Sequence, residues 1–588
     1  MDKQEIISKA QEYVRLEEDP FFRAQVEELL AKQDFTELSD RFYTELEFGT
    51  GGIRGVIGGG DNRLNSYIIR KTTQGLANYI RKSVPAATAS VAIAYDSRRF
   101  SDVFALESAR ILCANGIKTY LYTSLRSTPQ LSFTVRKLGA TAGIVITASH
   151  NPAEYNGYKV YWSDGGQIVA PHDTGIVAEV RAVQGPQVAC LTKEDALAQG
   201  LLVMIDQDVD VPFVTMVKAC ALRPGLMRRQ GASLRVVYTP LHGTGAFPVG
   251  KALDDLGIRV VFVPEQKEPD GNFPTVAFPN PEEATAMKLA LDLAKKESAH
   301  LVLATDPDAD RLGIAVPDGH GSFTLLSGNQ LGVLLLDYIL SGRKELRTLP
   351  KRGAYIKSIV TTELGRLIAQ AYGLECIDVL TGFKYIGEKM REFDAQEQGP
   401  AYIFGTEESY GFLVNTSVRD KDAVSAAVLT AEMTLYQVSQ GRSLLDKLDS
   451  LYRTYGYFEE TQVSRYFKGE SGQSVMTALM ARLRKDPPKT FGERTVLLVK
   501  DYADGTVVDM ASGARKKSIA LPSSNVLQFV CDEGSVITAR PSGTEPKIKF
   551  YASCRSAAGE PLEAARAAVA AKIAAIRSQI TMLVDGGN

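Results

Sequence analysis

Short apolar runs recur along this chain with amphipathic, helix-length stretches between them, and that alternation predicts buried strands covered by helices. Ser90-Val91-Ala92-Ile93-Ala94-Tyr95, Lys118-Thr119-Tyr120-Leu121-Tyr122 and Ala142-Gly143-Ile144-Val145-Ile146 form a first group of predicted strands. Residues 234–238, 259–263 and 301–304 form a second, and residues 354–356, 376–380 and 401–404 a third. Ahead of them, residues 1 to about 45 carry helical spacing with many charges, until Gly49-Thr50-Gly51-Gly52-Ile53-Arg54-Gly55 breaks the pattern. From about residue 450 the texture changes. Residues 494–499, 526–530, 536–539 and 548–551 read as antiparallel strands, and an Ala-rich helix runs from about Leu562 to Ile580. No sequence repeat of fixed short period is present, which disfavours solenoids and propellers. The pattern predicts α/β architecture: three mixed α/β domains in series (1–205, 206–322, 323–442), then a C-terminal α+β domain (443–588). Gly185-Pro186, Pro317-Asp318-Gly319 and Gln440-Gly441-Arg442 mark the expected seams.

Composition narrows the class without naming a chemistry. The 588 residues carry 67 basic and 69 acidic side chains, a formal net charge of −2, so no overall field draws the chain to nucleic acid or a membrane surface. Cys113, Cys190, Cys220, Cys376, Cys531 and Cys554 are scattered and form no CxxC pair, which fits a reducing compartment. The polar start Met1-Asp2-Lys3-Gln4-Glu5 lacks the form of a signal peptide, and no apolar run is read as a membrane span. The expectation is a cytoplasmic protein with small-molecule partners. Its oligomeric state is unreadable from the sequence.

Chemistry enters at Asp306-Pro307-Asp308-Ala309-Asp310-Arg311, directly after the apolar run Leu301-Val302-Leu303-Ala304. Carboxylates at alternating positions face a similar direction in an extended loop, and their mutual repulsion is relieved by a hard cation such as Mg²⁺. An EF-hand is excluded, since its sixth position requires Gly and its twelfth Glu, where this chain has Arg311 and Pro317.

Three more loops carry reactive or binding groups. Thr147-Ala148-Ser149-His150-Asn151-Pro152 follows a strand and offers Ser149 as a nucleophile, with Lys159 close behind in Tyr155-Asn156-Gly157-Tyr158-Lys159. No GxSxG elbow surrounds Ser149, so metal and phosphate chemistry suits it better than a Ser-His-Asp triad, although Ser and Asn equally suit a plain capping turn. Arg540-Pro541-Ser542-Gly543-Thr544-Glu545-Pro546-Lys547 reads either as a phosphate cradle or as a hairpin turn. Gly405-Thr406-Glu407-Glu408-Ser409-Tyr410-Gly411 presents groups that suit sugar hydroxyls; glycoside hydrolysis by paired glutamates would leave the aspartate cluster unexplained. Walker and dinucleotide fingerprints are missing, and the five histidines show no zinc spacing. Of these, His150 has a functional neighbourhood and His242 is a candidate to line a cleft.

Taken in order, TASHNP, DPDADR, GTEESYG and RPSGTEPK resemble the phosphoserine, metal, sugar-binding and phosphate-binding loops of the α-D-phosphohexomutase superfamily. FGTGGIRG, DGNFPTVAFPNPE, TGFKYIGEKM and VRDKDAV are similar to its longer phosphoglucomutase branch, which includes phosphopentomutases and a sugar-bisphosphate synthase. The resemblance implies four domains around a central cleft, with the last closing over substrate. It implies that Ser149 is carried as phosphoserine, that Asp306, Asp308, Asp310 and a phosphate oxygen on Ser149 hold Mg²⁺, and that Arg54 and Arg311 steady the phosphate's charge; His150 joins them among the candidate catalytic residues. Lys159 is the first choice of general base, which requires a depressed pKa. Some relatives have a histidine soon after the sugar loop, where this chain has Phe412. Glu407, Ser409 and Lys384 are implied sugar or cleft contacts, and Arg540, Ser542, Gly543, Thr544 and Lys547 implied holders of the non-reacting phosphate. The implied reaction interconverts glucose 1-phosphate and glucose 6-phosphate, with glucose 1,6-bisphosphate as intermediate and activator. Mannose or pentose phosphates, bisphosphate synthesis, and a catalytically silent sugar-phosphate binder are the alternatives.

Overall fold

A computed structural model gives the fold and describes residues 2–49, 51–183, 188–467, 472–542 and 547–585. The chain divides into two compact units. The first comprises Met1–Ser327, Phe383–Gly405 and Ser409–Ser439; the second comprises Gly328–Gly382, Thr406–Glu408 and Gln440–Asn588.

The first unit opens with three helices, α1 (Lys3–Leu16), α2 (Pro20–Lys32) and α3 (Phe35–Phe42). Each starts on an aspartate, Asp2, Asp19 or Asp34, whose carboxylate accepts a backbone N–H of the first turn, the capping that aspartate provides best. Their apolar faces meet in a small core of Ile6, Tyr13, Val26, Leu38 and Phe42. Nearby, burial and then the charge of Glu45 push the Asp61 carboxyl up to about 6.

Two mixed sheets follow. The first runs β1 (Gly52–Val56), β5 (Tyr155–Trp162), β4 (Ala142–Ile146), β2 (Ser90–Tyr95), β3 (Lys118–Tyr122), β6 (Leu202–Ile205) in spatial order. Strands β4, β2, β3 and β6 are parallel, while β5 returns antiparallel along β4 and carries β1 at the edge. The second sheet places β7 (Val236–Thr239) between β8 (Val260–Phe262) and β9 (Leu301–Thr305), all parallel, and then adds β10 (Leu312–Pro317) and β11 (Phe323–Leu326) antiparallel. Every residue of β4 and of β9 is buried, which is why both read as unbroken apolar runs. The helix Ala423–Ser439 is buried nearly all round and packs against this unit.

The second unit contains the parallel strands Gly353–Ser358 and Glu375–Val379. It also contains an antiparallel sheet in the spatial order Phe458–Tyr466, Lys547–Arg555, Val536–Pro541, Leu527–Cys531, Arg494–Asp501, Thr506–Asp509, Arg515–Lys517. The last helix, Leu562–Asp585, is longer than the sequence pattern suggests. By length and composition it could cross a membrane, contrary to the reading that no apolar run is long enough. Its Val569, Ile573, Ile576 and Ile580 are buried in the core of this sheet.

Of the expected seams, Gly185-Pro186 lies outside the described residues. Pro317-Asp318-Gly319 is a hairpin turn that joins β10 to β11 inside the second sheet, because Asp318 accepts the N–H groups of His320 and Ser322. Gln440-Gly441-Arg442 follows the end of the buried helix, where the second unit resumes.

Candidate active site

In the first unit, the loops leaving the carboxyl ends of β4 and β9 face each other, the position at which parallel sheets present ligand sites. Ser149 comes three residues after β4 and adopts a left-handed backbone, φ 53°. Its Oγ donates to Asp306 Oδ2 at 2.6 Å and lies 3.2 Å from His150 Nδ1. Asp306 is fully buried, and its other oxygen accepts the N–H groups of Asp310 at 3.1 Å and Arg311 at 3.0 Å, which curls the loop around it.

Asp308 Oδ2 accepts from Thr128 Oγ1 at 2.7 Å and from Lys159 Nζ at 2.8 Å. Asp310 Oδ2 faces Lys159 Nζ at 3.4 Å and Lys421 Nζ at 3.1 Å. The remaining oxygens, Oδ1 of Asp308 and of Asp310, are buried and accept no hydrogen bond from the described residues. One oxygen from each of the three aspartates lies within 4.8 Å of the others. Buried carboxylate oxygens left unsatisfied at this spacing are what a hard divalent cation completes, so the donor set fits Mg²⁺.

The electrostatics divide the three carboxyls. Burial, reinforced by Asp308 and Asp310, pushes Asp306 well above the usual carboxylate range. Burial acts on Asp308 in the same sense, but Lys159 and Thr128 outweigh it and hold that group low. Asp310 is likewise held low by Lys421 and Lys159 against burial and the charge of Asp308. Burial also works against the Lys159 ammonium, yet Asp308 and Asp310 prevail and raise its pKa. That is the opposite of the depression a lysine base requires, so here Lys159 is a cation. Burial and then Arg311 and Arg54 lower His150 well below an ordinary histidine, leaving it neutral.

The other expected residues are distributed as follows. Arg54 Nη1 donates to Asn151 Oδ1 at 2.9 Å, on the serine turn. Arg311 pairs with Glu282. Lys384 starts the helix Lys384–Asp394, and burial lowers its pKa against the pull of Asp173 and Glu388. Ser409 is half-buried in the turn before the strand Gly411–Leu413. In the second unit, Glu407 Oε1 accepts the Gly382 N–H at 2.6 Å. Arg540 bonds to the Tyr551 hydroxyl, which burial and then Glu408 raise to about 12. Ser542 N–H donates to the Lys547 carbonyl at 2.7 Å, and the Lys547 ammonium donates to Tyr466 Oη. Gly543 and Thr544 lie outside the described residues. His242 is buried, with Nε2 2.8 Å from Thr275 Oγ1, which gives it a structural bond rather than a place in this site.

Three participants escaped the sequence reading. Thr128 was hidden as the first residue of a helix, where Ser-Thr-Pro reads as ordinary capping. Lys421 lies in the VRDKDAV stretch and reaches Asp310 by passing over Gly411, where a Cβ would sit 2.4 Å from its Cδ. Arg98 holds the serine turn from behind.

Comparison with known proteins places this geometry. Residues 45–186, 212–319 and 327–455 match, in order, the α/β/α domains I, II and III of phosphoglucomutase/phosphomannomutase. A phosphoglucomutase of Staphylococcus aureus strain USA300 is 38% identical over 538 residues, covering 90% of this chain and 93% of that protein. The chain belongs to the phosphoglucomutase/phosphomannomutase family. A Staphylococcus haemolyticus phosphoglucomutase is 37% identical over 87% of this chain and 91% of that one. Among solved structures, parafusin of Paramecium, a phosphoglucomutase, aligns with TM-score 0.69 at 18% identity, covering 93% of this chain and 95% of its own. A phosphoglucomutase/phosphomannomutase family protein of Burkholderia thailandensis aligns with TM-score 0.64 at 18% identity, covering 92% and 98%. These two support the fold. Membership of the family makes the chain an enzyme of the isomerase class that moves a phosphoryl group within a sugar phosphate.

Proposed function

We propose that this protein interconverts glucose 1-phosphate and glucose 6-phosphate in the cytoplasm, with Ser149 as phosphoryl carrier and glucose 1,6-bisphosphate as intermediate and activator. The observation that carries the reading is the Ser149 hydroxyl hydrogen-bonded into a buried three-aspartate cluster flanked by Lys159 and Lys421. In the first transfer the phosphorus–Oγ bond of phospho-Ser149 breaks as a bond to the free sugar hydroxyl forms, and the proton that hydroxyl gives up ends on the departing Oγ, which becomes the serine hydroxyl again. After the bisphosphate turns over, its other phosphate returns to Ser149 and the product leaves. Asp306, Asp308, Asp310 and a phosphate oxygen would hold Mg²⁺, which when bound supplies charge neutralisation at the transferring group.

Lys159 and Arg54 stand where a phosphate on Ser149 would meet positive charge, and a phosphoserine bearing about −1.5 to −2 needs such partners. His150, held neutral, serves as a hydrogen-bonding neighbour of Oγ. Glu407, Ser409 and Lys384 are assigned to the sugar, and Arg540, Ser542, Gly543, Thr544 and Lys547 to the phosphate that is not reacting. Arg311, paired with Glu282, steadies the metal loop and the charge beside it. The four proposed domains span 1–205, 206–322, 323–442 and 443–588.

Intact-mass analysis after incubation with glucose 1,6-bisphosphate tests the carrier. Wild type should gain one phosphate and Ser149→Ala none; a wild type that stays unmodified removes the mutase reading in favour of a silent sugar-phosphate binder. Comparing kcat/KM across glucose, mannose, ribose and deoxyribose 1-phosphates fixes the sugar, and a preference for mannose or a pentose would replace glucose in the proposal.

A further inference from the structure

The serine turn hangs on one buried ion pair. Arg98 follows β2 in Asp96-Ser97-Arg98-Arg99, and the side chains of Asp96 and Arg98 are fully buried. Arg98 Nη2 donates to the Ser149 carbonyl at 2.6 Å and to the Asn151 carbonyl. Its Nη1 donates to the carbonyls of Pro152 at 2.8 Å and Tyr155 at 3.0 Å. Asp96 faces Arg98 Nε at 3.3 Å and accepts from Thr147 Oγ1 at 2.6 Å, while Thr147 Oγ1 accepts the Ser149 N–H at 2.8 Å. Both the N–H and the C=O of Ser149 are therefore tied, directly or through Thr147, to the Asp96–Arg98 pair.

That tether meets a specific need. A left-handed φ on a non-glycine residue costs about 1–2 kcal/mol and persists only where the surroundings over-determine it. Released from its tether, Ser149 would relax toward the right-handed or extended region and swing Oγ away from Asp306. The second domain closes the device from outside. Phe273 lays its ring 4.9 Å from the Arg98 guanidinium, and Gly271 pairs with Arg98 as an isolated bridge. A Cβ on Gly271 would stand 2.5 Å from the Ser97 carbonyl, so the approach requires glycine. The DGNFP stretch thus covers the hub that shapes the serine turn.

We propose that Arg98 is a positioning residue for phosphoryl transfer: by gathering four carbonyls of the turn it holds Ser149 left-handed, so that a phosphate on Oγ is presented to the aspartate cluster. This rests on the phosphoserine reading above. The Arg98 side chain is fully buried with its terminal nitrogens committed to those carbonyls, so its effect is on the rate of transfer rather than on sugar-phosphate affinity.

Arg98→Lys retains the charge beside Asp96, but three donors on one nitrogen cannot span four carbonyls as the guanidinium fork does. The test loads wild type and variant with phosphate from glucose 1,6-bisphosphate. It then follows transfer from Ser149 to glucose 1-phosphate by intact mass, per phosphoserine present, alongside KM and Tm. The expected result is a per-site rate at least thirtyfold lower, about 2 kcal/mol at 1.36 kcal/mol per decade, with KM within about threefold of wild type. Thr147→Val cuts the same tether at its other end without disturbing the buried guanidinium, and should show the same split with about a tenfold loss. Wild-type transfer per phosphoserine in either variant, whatever the fall in Tm, gives Arg98 a merely structural role and overturns the inference. Failure of wild type itself to take phosphate removes the mutase reading, and the inference with it.

Discussion

Replacing Lys159 with methionine keeps most of the side-chain volume and removes one of the two ammonium groups set against the aspartate cluster. Lys159 lies 2.8 Å from Asp308 and 3.4 Å from Asp310, and its side chain is 13% exposed. At an effective dielectric of 20 those separations correspond to about 6 and about 5 kcal/mol of gross attraction, against which desolvation of all three groups must be set. Stripping one partner from a buried pair typically costs a net of about 3–5 kcal/mol, because the remaining charge has no compensation. The variant should therefore be less stable than wild type in EDTA. A dication entering the cluster now relieves repulsion that Lys159 otherwise relieves, so Mg²⁺ should restore much of the loss through binding linkage. Thermal melts of dephosphorylated protein in EDTA and in saturating Mg²⁺ read this directly. The Mg²⁺-induced rise in Tm should be larger for Lys159→Met than for wild type, while kcat falls about 100-fold or more with the loss of a cation at the transferring group. An equal or smaller Mg²⁺ shift in the variant would falsify the account of Lys159 as the resident counter-charge of the metal loop.

Other expectations follow from single contacts. Asp308→Asn should reduce turnover at least 100-fold in a coupled assay, while calorimetry finds glucose 6-phosphate binding within about threefold of wild type; a fully active variant would dismiss the metal claw. Gly411→Ala forces Lys421 off Asp310, since the added methyl lies 2.4 Å from Cδ, and should lower kcat about tenfold; unchanged kinetics would show that Lys421 is dispensable. Asp61, at about 6 in the folded chain against 3.8 ordinarily, binds its proton more tightly when folded. Its contribution to stability is therefore fully present below about pH 4 and is lost as pH rises through 6. Denaturant midpoints of Asp61→Asn and wild type should coincide near pH 4 and separate above pH 7 in favour of the variant, by on the order of 2–3 kcal/mol; separation on the acid side instead would contradict the sign.

The strands and carboxylates that were legible in the sequence share one property: a uniform environment. Strands β2, β4, β7 and β9 are buried on both faces, so their apolar runs admit little else, and Asp306, Asp308 and Asp310 stand out at the end of such a run. Strand β5 was read only as the stretch that carries Lys159, because buried Asn156 and Gly157 and the hydroxyls of its tyrosines interrupt an otherwise apolar core face that includes Val160. Asn156 Nδ2 donates to Ser101 Oγ at 2.9 Å, and the Tyr158 hydroxyl accepts from Thr73 at 3.2 Å, so polar groups are buried among the apolar ones and no unbroken apolar run results. Strand β10 begins directly after Arg311, so no turn signal separates its apolar run from the metal loop. Thr128, Arg98 and Lys421 are far in sequence from the groups they serve and carry ordinary local patterns. The Asp-x-Arg spacing after a strand at Asp96 and Arg98, and the lysine in VRDKDAV, are the signals from which two of them could have been suspected.

The hydrogen bond from Ser149 to Asp306 spans 157 residues of chain, and that from Thr128 to Asp308 spans 180. Such long-range contacts form late, after local structure has paid the loop-closure entropy. For a polypeptide leaving the ribosome amino-terminus first, the nucleophile and its Arg98 brace can be assembled while the aspartates are still inside the exit tunnel or not yet translated. A truncated product ending before residue 306 would thus own a shaped serine and no ion-binding partner, and would be inert toward the cell's sugar phosphates. Activity thus requires synthesis past the midpoint of the 588-residue chain, without any dedicated inhibitor to enforce it.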